Sequence, residues 1–296
     1  MREQEVAAVD GTVLRAWRHG RGRHPVLGVG TIPEMWPTLL APAANLAMHS
    51  WQPRGARRHG TGPLSTVDDH VSDAIAVLDA ASVHRCVVVA WSVGVDVGAA
   101  LAMRHPDRVA GLLMVAGVPD ALTRLPGLVR SPLVRTITQG LRLAGPMLDA
   151  VLSRLPATPA TVWPLRHSGL MLPAADPFDT ARVAQRFLKQ HWGWFLGLAL
   201  IAAAGPAQDL RLLRCPVTVL AGRHDAFIDV RQIAARLAGA PQARLRILPN
   251  SHFIPLEAPE IVSDELRALQ LRATAVEVAV RAVTGSPLTS GSRVFT

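Results

Sequence analysis

Along most of the chain, short runs of Val, Leu and Ile alternate with longer stretches whose apolar residues recur at helical period. A strand with one wet face reads as strict polar and apolar alternation, whereas a strand covered on both faces reads as a nearly unbroken apolar run. The runs at 26–29, 46–51, 85–89, 109–115 and 215–221 are mostly of the second kind, and 244–248 continues the series. With helical segments between them, they predict an α/β fold: a mostly parallel central sheet with helices on both faces. Ahead of these, 5–8 and 12–17 flank Asp10-Gly11, a pair suited to a type I′ hairpin, so the chain is expected to open with two antiparallel strands.

Local signals mark the junctions. A Gly- and Arg-rich loop over 54–64 leads to Thr66, the expected N-cap of a helix over 67–81, with Asp68 and Asp69 placed to complement the helix dipole. The strand at 85–89 runs directly into Ala90-Trp91-Ser92-Val93-Gly94 and then a helix to about residue 105. After Pro119 the periodic pattern stops until about 207. Segment 119–206 is therefore expected to be a helical lid (cap) insertion, with amphipathic stretches such as 133–142 and an apolar cluster of Trp163, Phe178, Phe187, Trp192, Trp194 and Phe195. Trp192, Trp194 and Phe195 are expected to pack the lid's own core. Residues 1–118 and 207–272 form the core domain, closed by a helix over 261–271; 273–296 is a C-terminal extension with a further helix to 283 and a mobile Ser-, Gly- and Thr-rich tail.

Composition changes this picture little. At 296 residues, 49% hydrophobic and 18% charged, the chain can bury a substantial core without metals or disulfides. The net charge of +9 invites a nucleic-acid reading, but the arginines are dispersed. The densest patches, Arg18 to Arg23 and Arg54 to Arg58, lack the interleaved aromatics that stack on bases, Trp17 alone bordering the first. No nucleic-acid partner is expected. Cys86 and Cys215 have neither metal nor redox spacing and are expected in the core. The N-terminus carries no secretory apolar run and the longest apolar stretch is too short to span a bilayer, so no transmembrane segment and a cytoplasmic location are expected.

Candidate chemistry gathers at three places. A serine hydroxyl is almost fully protonated near neutral pH and becomes nucleophilic only beside a positioned base. Ser92 sits where strand turns sharply into helix, with small Ala90 and Gly94 two positions to either side, which singles it out as the nucleophile. His252, directly after the strand at 244–248, is the candidate base. Asp225, on the loop after the preceding strand, is the candidate acid, with Asp229 on the same loop and Asp120 as alternatives. An oxyanion needs two preorganised donors. The Val93 amide, opening the helix, is one candidate; the Thr31 amide beside Gly30 is the other, unless Gly30-Thr31 merely makes a turn. His59, His70, His84, His167, His191 and His224 are scattered, with no His-Glu-x-x-His pair, and no phosphate-binding glycine motif is present, so neither metal nor cofactor is expected.

Read in order, these residues resemble the α/β-hydrolase fold superfamily from about Gln4 to Leu271. Ala90-Trp91-Ser92-Val93-Gly94 resembles its nucleophile elbow, Ala221-Gly222-Arg223-His224-Asp225 its acid loop, and Ser251-His252-Phe253-Ile254-Pro255-Leu256-Glu257-Ala258-Pro259-Glu260 its histidine segment. His105-Pro106-Asp107-Arg108-Val109 and Trp36 add to the likeness. Two positions depart from it: Ala90 stands where glycine is usual, and Val29-Gly30 stands where many members carry His-Gly. Haloalkane dehalogenases and epoxide hydrolases of the superfamily carry aspartate at the elbow, where this chain has Ser92.

The resemblance implies a lidded serine hydrolase, esterase- or lipase-like, cleaving an ester or related acyl bond of a small, largely apolar substrate. The scaffold hosts many reactions. Two alternatives stay open: a cofactor-free acyltransferase or perhydrolase, and a ligand-binding or regulatory protein with little or no turnover. Oligomeric state is not legible.

Overall fold

The computed structural model describes residues 1–30, 32–41, 44–54, 66–119, 147, 149–189 and 208–284. Eight strands form one sheet: β1 Arg2–Ala7, β2 Val13–His19, β3 His24–Val29, β4 Leu46–Trp51, β5 Cys86–Trp91, β6 Val109–Val115, β7 Val217–Gly222 and β8 Ala243–Leu248. Their order is β1-β2-β4-β3-β5-β6-β7-β8. β2 pairs antiparallel with β1 and β4, and every other pairing is parallel.

The unbroken apolar strands have a simple cause. In β5, Cys86, Val88 and Ala90 face one apolar layer while Val87, Val89 and Trp91 face the other; in β6, Leu112 and Met114 oppose Leu113 and Val115. Side chains alternate sides along a strand, so only a sheet covered twice needs apolar residues at every position. The first layer holds helices α1 (Val67–Ala80), α2 (Gly94–Arg104) and, further along the chain, Ile233. The second holds the 3₁₀ turn Pro33–Met35, Met171, Ala175, Val183 and the start of the last helix. Both cysteines are buried and unpaired, as expected, and burial pushes their thiols up to about 12 for Cys86 and about 11 for Cys215.

Between residues 147 and 189 the described chain includes two short helices, α3 (Trp163–Arg166) and α4 (Pro177–Leu188). Asp176 caps α4, and Arg186 pairs with Glu34 of the 3₁₀ turn at 3.0 Å. The predicted stretch 133–142 and the aromatics Trp192, Trp194 and Phe195 lie outside the described residues. After β7 come α5 (Val230–Leu237), α6 (Ile254–Glu257) and α7 (Pro259–Thr284). α7 is one continuous helix, not a closing helix plus a separate one: Ala273 is buried and nothing in 271–274 is a helix breaker.

The opening hairpin forms, but not through a type I′ turn. That turn needs positive φ at both central residues, and only Gly11 has it, at 82°. Gly11 N–H donates to Ala8 O at 2.9 Å and Ala8 N–H to Thr12 O at 2.8 Å, a three-residue connection in which Asp10 Oδ1 accepts from Thr12 N–H. β7 starts at Val217, not at 215, because Pro216 has no N–H to give the ladder; its carbonyl still accepts from Leu112 N–H.

α1 is anchored at both ends. Thr66 is the N-cap expected at this junction, and Asp69 returns the bond to complete a capping box. Asp73, with no exposed side-chain surface, takes the Arg54 guanidinium in a bidentate pair at 2.6 to 2.9 Å, and Arg54 also meets Asp10 on the hairpin turn. One arginine thus ties together the segment after β4, α1 and the β1–β2 turn. Removing Asp73 leaves a mostly buried cation without its main counter-charge. Asp73→Ala is expected to lower unfolding free energy by about 3 kcal/mol, read as a shift in urea midpoint at unchanged slope; an unshifted midpoint would show that the pair is dispensable.

Candidate active site

The strand order changes direction between β3 and β5: the chain steps from β3 to β4 on one side, then returns to place β5 on the other. Open parallel sheets bind ligands at such a point, outside the carboxyl ends of the strands. Ser92 stands there, one residue past β5. Its φ is +53°, in the left-handed region that non-glycine residues seldom enter. Two backbone bonds hold it, Ser92 N–H to Val115 O at 3.0 Å and Val95 N–H to Ser92 O at 3.0 Å. Strain of this kind costs roughly 1–3 kcal/mol and persists only where the surroundings over-determine it.

The surroundings here are two backbones in contact. A Cβ on Gly94 would lie 2.5 Å from Val29 O and 2.6 Å from Gly30 Cα; one on Gly30 would lie 2.3 Å from Gly94 Cα. Side chains at either position would separate the turn after β5 from the loop after β3. Ala90, the departure from the usual glycine, is accommodated across the layer: a Cβ at Gly98 of α2 would come within 3.0 Å of the Ala90 methyl. The space lost at position 90 is recovered at position 98.

His252 and Asp225 reach the same place from β8 and β7. The imidazole Nε2 lies 2.8 Å from Ser92 Oγ and Nδ1 lies 2.8 Å from Asp225 Oδ2. The Asp225 side chain is 1% exposed and that of His252 6%, so water competes little for either bond. Asp225 Oδ1 accepts from the Phe227 and Ile228 amides at 2.8 and 3.1 Å, which aims the carboxylate. The two loops are laced together by Arg223 N–H to Leu248 O and His224 N–H to Asn250 O. Trp91 Nε1–H donates to His252 O at 3.0 Å, and the Trp91 and Phe227 rings flank the imidazole at 5.2 and 4.9 Å between centroids.

The structure therefore brings Ser92, His252 and Asp225 together and sets Val93 beside them at the N-cap of α2, in the first turn, where backbone N–H groups lack intrahelical acceptors. Thr31 lies outside the described residues, as does Asp120. Asp229 is engaged elsewhere: it caps α5 by accepting from Arg231 N–H at 2.8 Å. His70 is a buried residue of α1 itself, its imidazole pushed down to about 4 by burial and then by the Arg54 charge. Among the described residues no group of His, Cys, Asp and Glu could hold a metal ion, and no helix is long and apolar enough to cross a membrane.

One residue of the site had no role assigned from the sequence. Glu257 is buried, and its carboxylate accepts from Ser251 N–H, Ser251 Oγ, Asn250 Nδ2 and Leu172 N–H. It clamps the two residues preceding His252 and joins them to the segment that crosses over from position 172. The signal was present: an acid between Leu256 and Ala258-Pro259, in an otherwise apolar stretch, must find internal donors if buried.

Chemically, a strained serine hydroxyl in contact with an imidazole whose far nitrogen faces a shielded carboxylate can pass its proton to that ring as it attacks an electrophile. Comparison with known proteins agrees with the architecture. The family described as alpha/beta hydrolase fold matches residues 49–259. The RutD protein of Caulobacter segnis, which bears the name of a carbamate hydrolase, is 35% identical over 86 residues, 29% of this chain and 30% of that protein. This chain spans less than half the length of the curated relatives it matches. A carboxylesterase structure from the thaumarchaeon Nitrososphaera gargenis superposes with a TM-score of 0.69 at 18% identity, covering 92% of this chain and 99% of the other. A thermophilic esterase from Thermogutta terrifontis gives 0.67 at 19%, covering 92% and 99%. At these identities the likeness is one of fold.

The contact between Gly30 and Gly94 makes a direct prediction. Gly94→Ala forces a methyl against Val29 O, an overpacking that costs about 1–3 kcal/mol. The variant is expected to melt at lower temperature than the parent, while Gly169→Ala, whose Cβ would meet nothing within 4 Å although its φ is +83°, bears only the backbone cost. Equal melting temperatures for the two variants would contradict the close approach.

Proposed function

The chain belongs to the alpha/beta hydrolase fold family, and from that premise we propose that it is a serine hydrolase, cleaving an ester or related acyl bond of a small, largely apolar substrate. The observation that carries the proposal is the His252 imidazole, with one nitrogen 2.8 Å from Ser92 Oγ and the other 2.8 Å from Asp225 Oδ2.

In this reading Ser92 Oγ attacks the carbonyl carbon while His252 Nε2 takes its proton. Asp225 holds the Nδ1–H tautomer and stabilises the imidazolium that forms. The oxyanion is received by the amides of Val93 and Thr31. The C–O bond to the leaving alcohol then breaks as His252 returns the proton to that oxygen, leaving an acyl group on Ser92. Water, giving a proton to the same nitrogen, attacks the acyl carbon; collapse of the second oxyanion frees the acid and restores the serine hydroxyl.

Substrate class is read from the walls. Trp91, Phe227 and Phe253 lie around the imidazole, with Phe187 against Trp91. An apolar acyl or alkyl group buried against them would contribute roughly 25 cal/mol per Å². We read 119–206 as the cap over this site; the Leu172 bond to Glu257 and the Arg186 pair with Glu34 support it as two points where that segment is fastened to the core. Names borne by the relatives widen the class without changing the chemistry, since carboxylic esters and carbamates both offer an acyl carbon with a leaving group.

Hydrolysis of p-nitrophenyl butyrate tests the reading. Ser92→Ala is expected to lower kcat by at least about a thousandfold and Asp225→Asn by about ten-thousandfold, through loss of the correct tautomer. Asp229→Asn, which touches only a helix cap, is expected to keep kcat within about twofold. Undiminished turnover in Ser92→Ala would refute the proposal.

A further inference from the structure

A second cleft lies at the opposite end of the sheet, where β7 and β8 begin. Ser92, Asp225 and His252 all follow the carboxyl ends of their strands, so the two places are separated by the length of β7, about 20 Å for six residues. The cleft encloses about 380 Å³ and opens to solvent. Arg214, from the linker before β7, Arg244 of β8 and Arg272 of α7 line it, with Ala275 and Val276 of α7 forming an apolar side.

Three arginines share this cleft, and among the described residues no carboxylate lines it. The acids nearest along α7 are engaged elsewhere: Glu265 pairs with Arg246 at 2.6 Å, and Glu277 pairs with Arg281 and, at 3.9 Å, with Arg85. Arg214 and Arg244 make no ion pair among the described residues. Arg272 donates to Val217 O at 3.1 Å and to Thr218 Oγ1 at 2.5 Å, neutral acceptors that orient the group, and the only carboxylate acting on its charge is Glu265, which is itself paired with Arg246, among the described residues. Burial, and then the charge of Arg244, push the Arg272 guanidinium below its ordinary range. A bound anion would offset the repulsion between the two arginines and give the partly buried guanidinium a counter-charge.

We propose that this cleft binds a small phosphate-bearing molecule, of about the size of a nucleoside diphosphate. Guanidinium forks match phosphate oxygens bidentately, and three of them call for more negative charge than a monocarboxylate carries. The side of Ala275 and Val276 offers the organic part of such a ligand a surface to cover. The site takes no part in the hydrolytic reaction proposed above and stands or falls without it.

The full chain is titrated calorimetrically with ADP, inorganic pyrophosphate and a 12-base-pair DNA duplex, at about 50 mM salt so that screening does not mask the interaction. Saturable one-to-one binding of ADP or pyrophosphate is expected, weakened at least about tenfold in Arg214→Gln/Arg244→Gln. The double variant Arg21→Gln/Arg23→Gln removes the same charge from exposed positions near the start of β3, and it is expected to bind within about twofold of the parent. Absence of saturable binding to ADP and pyrophosphate would overturn the proposal. So would equal weakening in the two double variants, or a preference for the duplex lost equally in both, since each points to the diffuse positive field of the whole molecule. Single Arg244→Gln, on an exposed strand position, supplies the same comparison should the double variant misfold.

Discussion

An imidazole has two ring nitrogens, and in this protein both are committed. Nδ1 of His252 meets a carboxylate that water scarcely reaches, and Nε2 meets a serine hydroxyl, each at 2.8 Å. The two contacts together fix the tautomer: the ring must carry its proton toward Asp225 if Nε2 is to accept one from Ser92. Most of the surrounding structure can be understood as what is required to hold these three groups, which come from three separate turns, at hydrogen-bonding distance.

The requirement is met by backbone more than by side chains. β5, β7 and β8 lie in one sheet with only β6 among them, so the turns at their carboxyl ends emerge side by side. The sheet itself is rigid because helices cover it twice, which buries β5, β6 and β7 at every position. On that base a serine at positive φ is sustained by bonds to Val115 and Val95 and by the glycine contact that brings the loop after β3 against the start of α2. Glu257 then secures the approach to His252 with four neutral donors, doing for the histidine turn what the Phe227 and Ile228 amides do for Asp225.

Much of this is legible in the sequence. Segments 46–51 and 109–115 match β4 and β6 residue for residue, because apolar runs bounded by turn residues leave little freedom in where a doubly covered strand begins. The N-cap at Thr66 and the order Ser92, Asp225, His252 are readable for the same reason: each is a local pattern with a single mechanical use. What escaped depended on partners distant in sequence. Asp10-Gly11 suggests a type I′ turn, but Asp10 is drawn to Thr12 and Arg54, and the connection lengthens. Position 90 reads as a departure from the pattern because Gly98, which makes room for its methyl, belongs to the following helix. Arg54 reads as loop charge and is a buried tie. The sequence reads as a closing helix over 261–271 and a further helix to 283, whereas the helix over 259–284 is continuous, because no residue between them breaks it.

The central claim is that Ser92 is the one hydroxyl made reactive by its surroundings, and fluorophosphonate labelling followed by peptide mass mapping examines it without reference to any substrate. The account predicts a single adduct per chain, carried by the peptide containing Ser92 and absent when His252 is replaced by alanine. An adduct on another serine or threonine, or labelling that survives the loss of His252 at an undiminished rate, would contradict it.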